Sequence, residues 1–277
     1  MKLKIFGVLF LLILGVACTQ ISGDNELLDE QLLEKIMQVN ENINSMKFDM
    51  TSEIAIQGSD QNMDMSLKAT GMIDRAAKKI SIIGEAEIKN QDLKMPLETY
   101  ADGEWIYTKS MDQWIKIKME EDLFENQDQA KYFADFLKDG EVNFKEVTKD
   151  EKEYYFAEII PDEKVLTSFI KKNNQLPQGN ISEIIDSFKN FKLVYYIDKD
   201  NYMIDFVDTS YDMSFQNITM SSMQTLNMYD INQPANIVIP DEAKQNAVDF
   251  EEFQKNMMAL QQAEIVVEGN ENIQLTN

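Results

Sequence analysis

Apolar and polar residues alternate between residues 48 and 118, and this alternation constrains the fold more than any other feature of the chain. In the first run, Phe48, Met50 and Ile54 stand between polar residues, and further runs repeat the pattern as far as Lys118. A period of two places successive side chains on opposite faces of a strand. Because only short turn sequences separate the runs, neighbouring strands must be antiparallel. The sequence therefore predicts a meander of six strands with one buried face, forming a large curved sheet.

Helical and strand-like patterns flank this meander. Before it, apolar residues recur at helical spacing from Leu28 to Ile43, which predicts a helix over residues 24–45. Without a Gly/Ser-rich or Pro-rich linker, we predict a single domain over residues 24–264 and a loosely ordered tail over residues 265–277. The elements predicted after the meander are helices over residues 120–139, from Pro161, from Asn180 and over residues 241–262, and strands over residues 142–147, 154–160, 192–197, 202–216 and 221–231.

The N-terminus has the layout of an export signal. Lys2 and Lys4 precede a largely apolar stretch, residues 5–17, which is too short for a bilayer span of roughly 20 residues. Cys18 follows directly, and the sequence LGVAC at 14–18 resembles the lipobox of bacterial lipoproteins, except that Gly15 stands where Leu or Val is usual. This resemblance implies a signal peptide over residues 1–17 and acylation of the Cys18 thiol, for example with palmitate. The alternative is an ordinary signal peptide with an incidental cysteine.

An acylated Cys18 would place the protein at the outer face of the cell membrane, outside the cytoplasm. Residues 18–23 would then form a lipidated tether. The five residues after Cys18 extend to at most about 17–20 Å, so the folded body would lie close to the bilayer.

The composition excludes several classes of function. The formal net charge is −23 with a single arginine, which makes nucleic acid a poor partner. The chain has no histidine, so Ser-His-Asp, Cys-His and HExxH chemistry are excluded. Ser168 and Lys171 match the S-x-x-K pattern of serine enzymes, but the S-D-N and K-T-G sequences that accompany it are missing. We therefore predict a protein that is not an enzyme and that needs no cofactor.

Two groups of carboxylates could in principle bind a hard cation. They are Asp198 with Asp200, and the acidic residues at 120–122. The first group lacks the glycine and the distal glutamate of an EF-hand loop, and both are typical of solvated turns or helix ends. We predict no metal site.

Three short stretches give the chain a family resemblance: YADGEWIY at 100–107 with the following Trp114, VYYIDK at 194–199, and NIVIPDEA at 236–243. Together with the acylated cysteine and the order of elements, they resemble the LolA/LppX/LprG-like exported proteins, and in particular lipoproteins of Gram-positive bacteria. The resemblance implies an α+β fold in which a large curved antiparallel sheet forms an unclosed half β-barrel. Helices would pack into its open side, around an apolar cavity for a lipid or acyl chain. The arginine that LolA uses is not carried over, because Arg75 falls in a predicted turn.

Two functions follow from these observations. One is a monomeric lipid-binding or lipid-carrying lipoprotein, whose contacts would be its membrane anchor and a lipid or acyl ligand. The other is a non-catalytic surface scaffold or envelope-stress interaction protein with a filled core. Methionine suits both, because it adapts to irregular ligands and also replaces leucine in ordinary cores. The residues predicted to line the ligand cavity are Phe48, Met50, Ile54, Met63, Met65, Leu67, Ile80, Ile82, Leu93 and Met95.

Overall fold

Strands dominate the protein. A computed structural model describes residues 30–58, 62–110, 112–119, 124, 140–162, 166, 187–215, 218–253 and 255. The predicted helices over residues 120–139 and from Asn180 lie outside this part of the chain, apart from Phe124 and Ser187, as do the signal, the tether and the tail. The elements are α1 (Glu30–Glu41), β1 (Ser45–Gln57), β2 (Asn62–Asp74), β3 (Lys79–Ile88), a 3₁₀ turn (Lys89–Gln91), β4 (Leu93–Ala101), β5 (Trp105–Ser110), β6 (Gln113–Lys118), β7 (Gly140–Lys149), β8 (Lys152–Pro161), β9 (Phe188–Asp198), β10 (Ile204–Phe215), β11 (Ile218–Tyr229), α2 (Asp241–Asn246) and β12 (Val248–Asp249).

All twelve strands belong to one sheet, in the order β12-β6-β5-β4-β3-β2-β1-β11-β10-β9-β8-β7. The sheet consists of two meanders, β1–β6 and β7–β11, which meet where β1 pairs antiparallel with β11. Every other pairing is also antiparallel except that of β12 with β6. The sheet is not closed into a barrel, because β7 and β12 stand at its two ends. The predicted fold class, an unclosed half-barrel with helices, is confirmed.

The first meander agrees with the prediction strand by strand, because each turn carries a clear signal. The chain reverses at residues 75–78 and at 102–104, where turns were expected. Gly103 has a φ of 87°, a left-handed conformation that glycine adopts without strain.

Three predicted boundaries are wrong. The first helix ends at Glu41 and not at residue 45, since the Asn232 side chain hydrogen-bonds to the backbone of Asn42 and Asn44 and draws the chain out of the helix. Pro161 is the last residue of β8 and not the first of a helix, although Leu166 is helical and its N–H donates to the Asp162 carbonyl (3.0 Å). The final helix is not continuous: α2 ends at Asn246, Val248 and Asp249 pair with the edge of β6, and residues 250–253 and 255 are helical again.

A buried asparagine fixes α1 to the sheet. Asn40 lies on the apolar stripe of the helix next to the fully buried Ile36. Its Nδ2 donates to the Ile36 carbonyl (2.7 Å) and to the Tyr202 carbonyl (2.9 Å), and its Oδ1 accepts from the Ile204 N–H (3.2 Å). The end of α1 is thereby joined to the turn between β9 and β10.

Gly71 accommodates the ring of Phe48. The two residues are register partners on β1 and β2, and Phe48 is only 1% exposed. A Cβ at Gly71 would overlap the far end of the Phe48 ring. The glycine thus provides the space in which this aromatic side chain lies across the neighbouring strand.

We expect Gly71→Ala to lower the free energy of unfolding by about 1–3 kcal/mol, since overpacking a filled core forces side chains out of their preferred rotamers. Chemical denaturation measures the change. In a Phe48→Leu background the same substitution should cost clearly less, because the ring it meets is gone. Equal costs in both backgrounds would show that the overlap with Phe48 is not the cause.

Candidate ligand-binding site

The concave side of the sheet can be followed row by row from the strand register. We call it the inner face, and it is the side on which the large core cluster lies. Ile54 of β1, for example, stands in one row with Met65 of β2 and Ser222 of β11. Ile36 of α1, Phe124 and Leu166 belong to the same cluster. Each row therefore runs across both meanders, and residues distant in the chain share one surface.

The inner face carries no charge over most of its width. By register, none of its positions on β1–β6 or on β9–β11 is Asp, Glu, Lys or Arg. The three charged residues of β1, Lys47, Asp49 and Glu53, all lie on the opposite face. In a chain with 27% charged residues, this separation leaves a broad neutral surface.

Burial divides the inner face into two ends. At the end next to α1, Phe48, Met50 and Ile73 are each 1% exposed, which is a filled core. Towards the β1–β2 connection and along β4 several side chains are only partly buried and Leu93 is 44% exposed, although Met65, Ile88 and Met220 among them are buried. We call this second region the loose end and define it by its partly buried or exposed residues Ile56, Met63, Leu67, Leu93, Met95, Leu97 and Met213.

The ten residues predicted to line a cavity all lie on the inner face, but they do not share one environment. Phe48, Met50, Ile54, Met65, Ile80 and Ile82 are buried members of the core cluster. Met63, Leu67 and Met95 are partly buried against that cluster, and Leu93 is exposed. Their role as ligand contacts stays a prediction.

A band of hydrogen-bonding side chains crosses β10, β11 and β1 on the inner face, and the row of Ser52 continues through Leu67 of β2 to Met95 of β4 at the loose end. Ser52 is in register with Gln224 of β11, which pairs with Thr209 of β10, and the next row brings Ser222 beside Tyr211. We call these five residues the polar band. Sequence reasoning missed them, because the three strands that carry them are far apart in the chain. The rows on either side are apolar, with Met50 and Leu226 on one side and Ile56 and Met220 on the other.

Burial and neighbouring rings hold the polar band in place. Ser52, Tyr211 and Ser222 are 6–8% exposed. The Tyr211 ring stacks on Phe191, with centroids 6.1 Å apart. Burial raises the pKa of Tyr211, although its hydrogen bond with Ser222 acts in the opposite direction, so the hydroxyl stays protonated at neutral pH.

The opposite face carries a second, smaller core. Tyr100, Tyr107 and Trp114 pack there against Ile239 and Ala243, where α2 begins. The final helix was predicted to help close the concave side, but α2 instead covers the outer side of β4–β6. The side chains of Tyr107 and Trp114 are therefore buried in this second core.

Asp198 is a buried carboxylate and not a solvated turn residue. It is 3% exposed, and its Oδ2 lies 2.6 Å from Lys152 Nζ, which also contacts Asp205 at 2.6 Å. Burial alone would raise the pKa of Asp198, but hydrogen bonds from Lys152 and from the Asp200 N–H outweigh it and hold the pKa below its ordinary value. The arrangement stabilises the β9–β10 turn.

In the described part of the chain, no cluster of three or more His, Cys, Asp or Glu residues could hold a metal ion. Within the same residues, none of the helices has both the length and the apolar character needed to cross a membrane.

The family model of DUF6612, a family of unknown function, matches residues 29–248. No curated protein matches the sequence. Among solved structures, LprF from Mycobacterium bovis is 10% identical, with 76% of this chain and 95% of that chain covered and a TM-score of 0.42. LppX from Mycobacterium tuberculosis is 12% identical, with 76% of this chain and 100% of that chain covered and a TM-score of 0.41. A LolA superfamily protein from Nitrosomonas europaea is 12% identical, with 77% of this chain and 95% of that chain covered and a TM-score of 0.24. LppX and a LolA superfamily protein are thus among the solved structures to which this chain is similar.

We expect Asp198→Asn to lower the free energy of unfolding at neutral pH by about 1.5–3 kcal/mol, the usual range for hydrogen bonds to charged groups. Because the folded pKa is lowered, the wild-type carboxylate contributes stability above its unfolded pKa of about 3.9, and this is lost as the pH falls through the folded value. The variant should therefore lose less stability than wild type below about pH 4.

Denaturation curves between neutral and acidic pH test this expectation. Asp200→Asn is the matched control, since Asp200 lies in the same turn with an exposed side chain. Identical acid dependence in wild type and Asp198→Asn would contradict a stabilising role for this carboxylate.

Proposed function

The chain belongs to DUF6612, and we propose that it is a membrane-anchored extracytoplasmic lipoprotein that binds a lipid or acyl chain at the loose end of its inner face. The observation that carries the proposal is the neutral inner face. A chain of net charge −23 keeps every Asp, Glu, Lys and Arg side chain off this surface on nine of its strands. An apolar ligand gains free energy there by leaving water, at about 25 cal/mol per Å² of buried apolar surface.

The loose end suits such a ligand better than the rest of the face. Its side chains are incompletely buried, whereas Phe48 and Met50 leave no comparable exposure. Met63, Met95 and Met213 contribute flexible, polarisable side chains that adapt to acyl chains of different shape.

The anchor would bring this surface to its source of ligand. An acylated Cys18 with a tether of five further residues would keep the domain within about 20 Å of the bilayer. The proposal needs no catalytic group. The described residues of the inner face offer hydroxyl, amide and apolar groups for binding.

Native mass spectrometry of gently purified protein should show a bound lipid, and the delipidated protein should take up a fluorescent fatty acid. Met63→Trp, which fills the loose end, should reduce this uptake strongly while the melting temperature stays near the wild-type value. Met223→Trp is the matched control, because Met223 is 64% exposed on the outer face of β11.

The alternative function, a filled scaffold that docks to another envelope protein, predicts a different outcome. If this region is ordinary core, Met63→Trp should destabilise the protein by about 1–3 kcal/mol. Ligand-free protein without any uptake of acyl probes would then favour the scaffold and rule out lipid binding.

The anchor is tested separately. Cys18→Ser removes the thiol that would be acylated. We therefore expect that the variant does not incorporate labelled palmitate and does not fractionate with membranes. Thr19→Ser, one residue further along, should leave both properties unchanged. Membrane fractionation of Cys18→Ser equal to wild type would show that residues 14–18 are not a lipobox.

A further inference from the structure

We propose that the ligand group seated at the polar band is an uncharged acyl ester, with its carbonyl oxygens accepting hydrogen bonds from Ser52, Thr209 and Gln224. This inference rests on the proposed function, because it specifies the ligand of the same face. It places the hydrocarbon chains over the loose end and the ester at the boundary with the filled core.

The polar band has hydrogen-bonding capacity that the described residues do not use. Gln224 Nε2 lies 3.4 Å from the Met50 sulfur, and a thioether is only a weak acceptor. Within the part of the chain that the structure describes, the Ser52 and Thr209 hydroxyls have no side-chain hydrogen bond. Ser52 is 6% exposed as a residue, and its Oγ is not a buried atom without a partner. A ligand that brings acceptor oxygens to this band would give Gln224 Nε2 a better acceptor than the Met50 sulfur.

The position of the band matches the layout of an acyl ester. Ser52, Gln224 and Thr209 stand side by side on three adjacent strands, so their donors span about 10 Å across the sheet. The row of Ile56 lies four residues further along β1, about 13 Å away, at the loose end. Hydrocarbon chains can therefore lie over apolar rows while the ester stays at the band.

On β1–β6 and β9–β11 the inner face presents no Lys or Arg, which favours an uncharged ligand group. A carboxylate or phosphate at the band would be removed from water without a Lys or Arg partner on β1–β6 or β9–β11. Burying an unpaired charge is far more costly than burying an ester carbonyl, which needs only a donor. The neutral hydroxyls and the amide of the band are donors of this kind.

A pair of probes tests the charge preference. The delipidated protein is titrated at neutral pH with a fluorescent long-chain fatty acid and with its methyl ester, which differ only in the charged group. We expect the ester to bind at least about tenfold more tightly, a difference of about 1.4 kcal/mol.

Variants of the band test the contacts themselves. Thr209→Val and Gln224→Leu keep the side-chain volume but remove the donors, and each should weaken methyl-ester binding about five- to tenfold. Binding of a fluorescent hydrocarbon without an ester should not weaken in these variants. Thr51→Val is the matched control, since Thr51 is exposed on the outer face next to Ser52. Thermal melting verifies that each variant is folded.

The outcomes separate the two proposals. Tight ester binding that falls in both band variants, but not in Thr51→Val, supports the polar band as the ester site. Equal or tighter binding of the free acid, or unchanged ester binding in folded band variants, overturns this inference and leaves lipid binding in place. Binding of no acyl probe and no hydrocarbon, with no co-purified lipid, overturns both.

Discussion

The separation of charge between the two faces of the sheet is the constraint on which the structure depends. Side chains alternate between faces along every strand, so a shift of one residue in the register would carry the whole charged set into the core. Asp49 of β1, for example, would replace Phe48 or Met50 beneath α1. Because every row extends across both meanders, the same register that excludes charge also lines up the polar band and the loose end.

Much of this fold was predictable from the sequence, because period-two runs and turn residues are local signals. The six strands of the first meander and the strands of the second appear where the pattern placed them. The ends of α1 and α2 were not predictable, since each is decided by a distant partner. The Asn232 side chain hydrogen-bonds to the backbone just after α1, and Val248 and Asp249 pair with the edge of β6 just after α2. Local propensity contains no information about either contact.

The candidate site was predictable in part. Alternation identified the inner face and all ten residues assigned to it, but not the difference between its filled and loose ends, since core and ligand-binding side chains are equally apolar. The polar band could not be predicted from the sequence, for another reason. Ser52, Thr209 and Gln224 become neighbours only through the pairing of β1 with β11, and no periodicity relates them. Buried Asp198 was misread for the same reason, because its partner Lys152 comes from another hairpin.

The junction of β1 with β11 also has a consequence for the order in which the molecule folds. Lys47 and Asp230 form an ion pair across this junction although they are 183 positions apart in the chain. Hairpins within each meander close short loops and form quickly, whereas closing so long a loop is slow. Until β11 arrives, β1 has a long unpaired edge beside an exposed apolar surface, which is a template for aggregation. Aggregation is therefore most favoured late in folding, after both meanders have formed and before β1 pairs with β11.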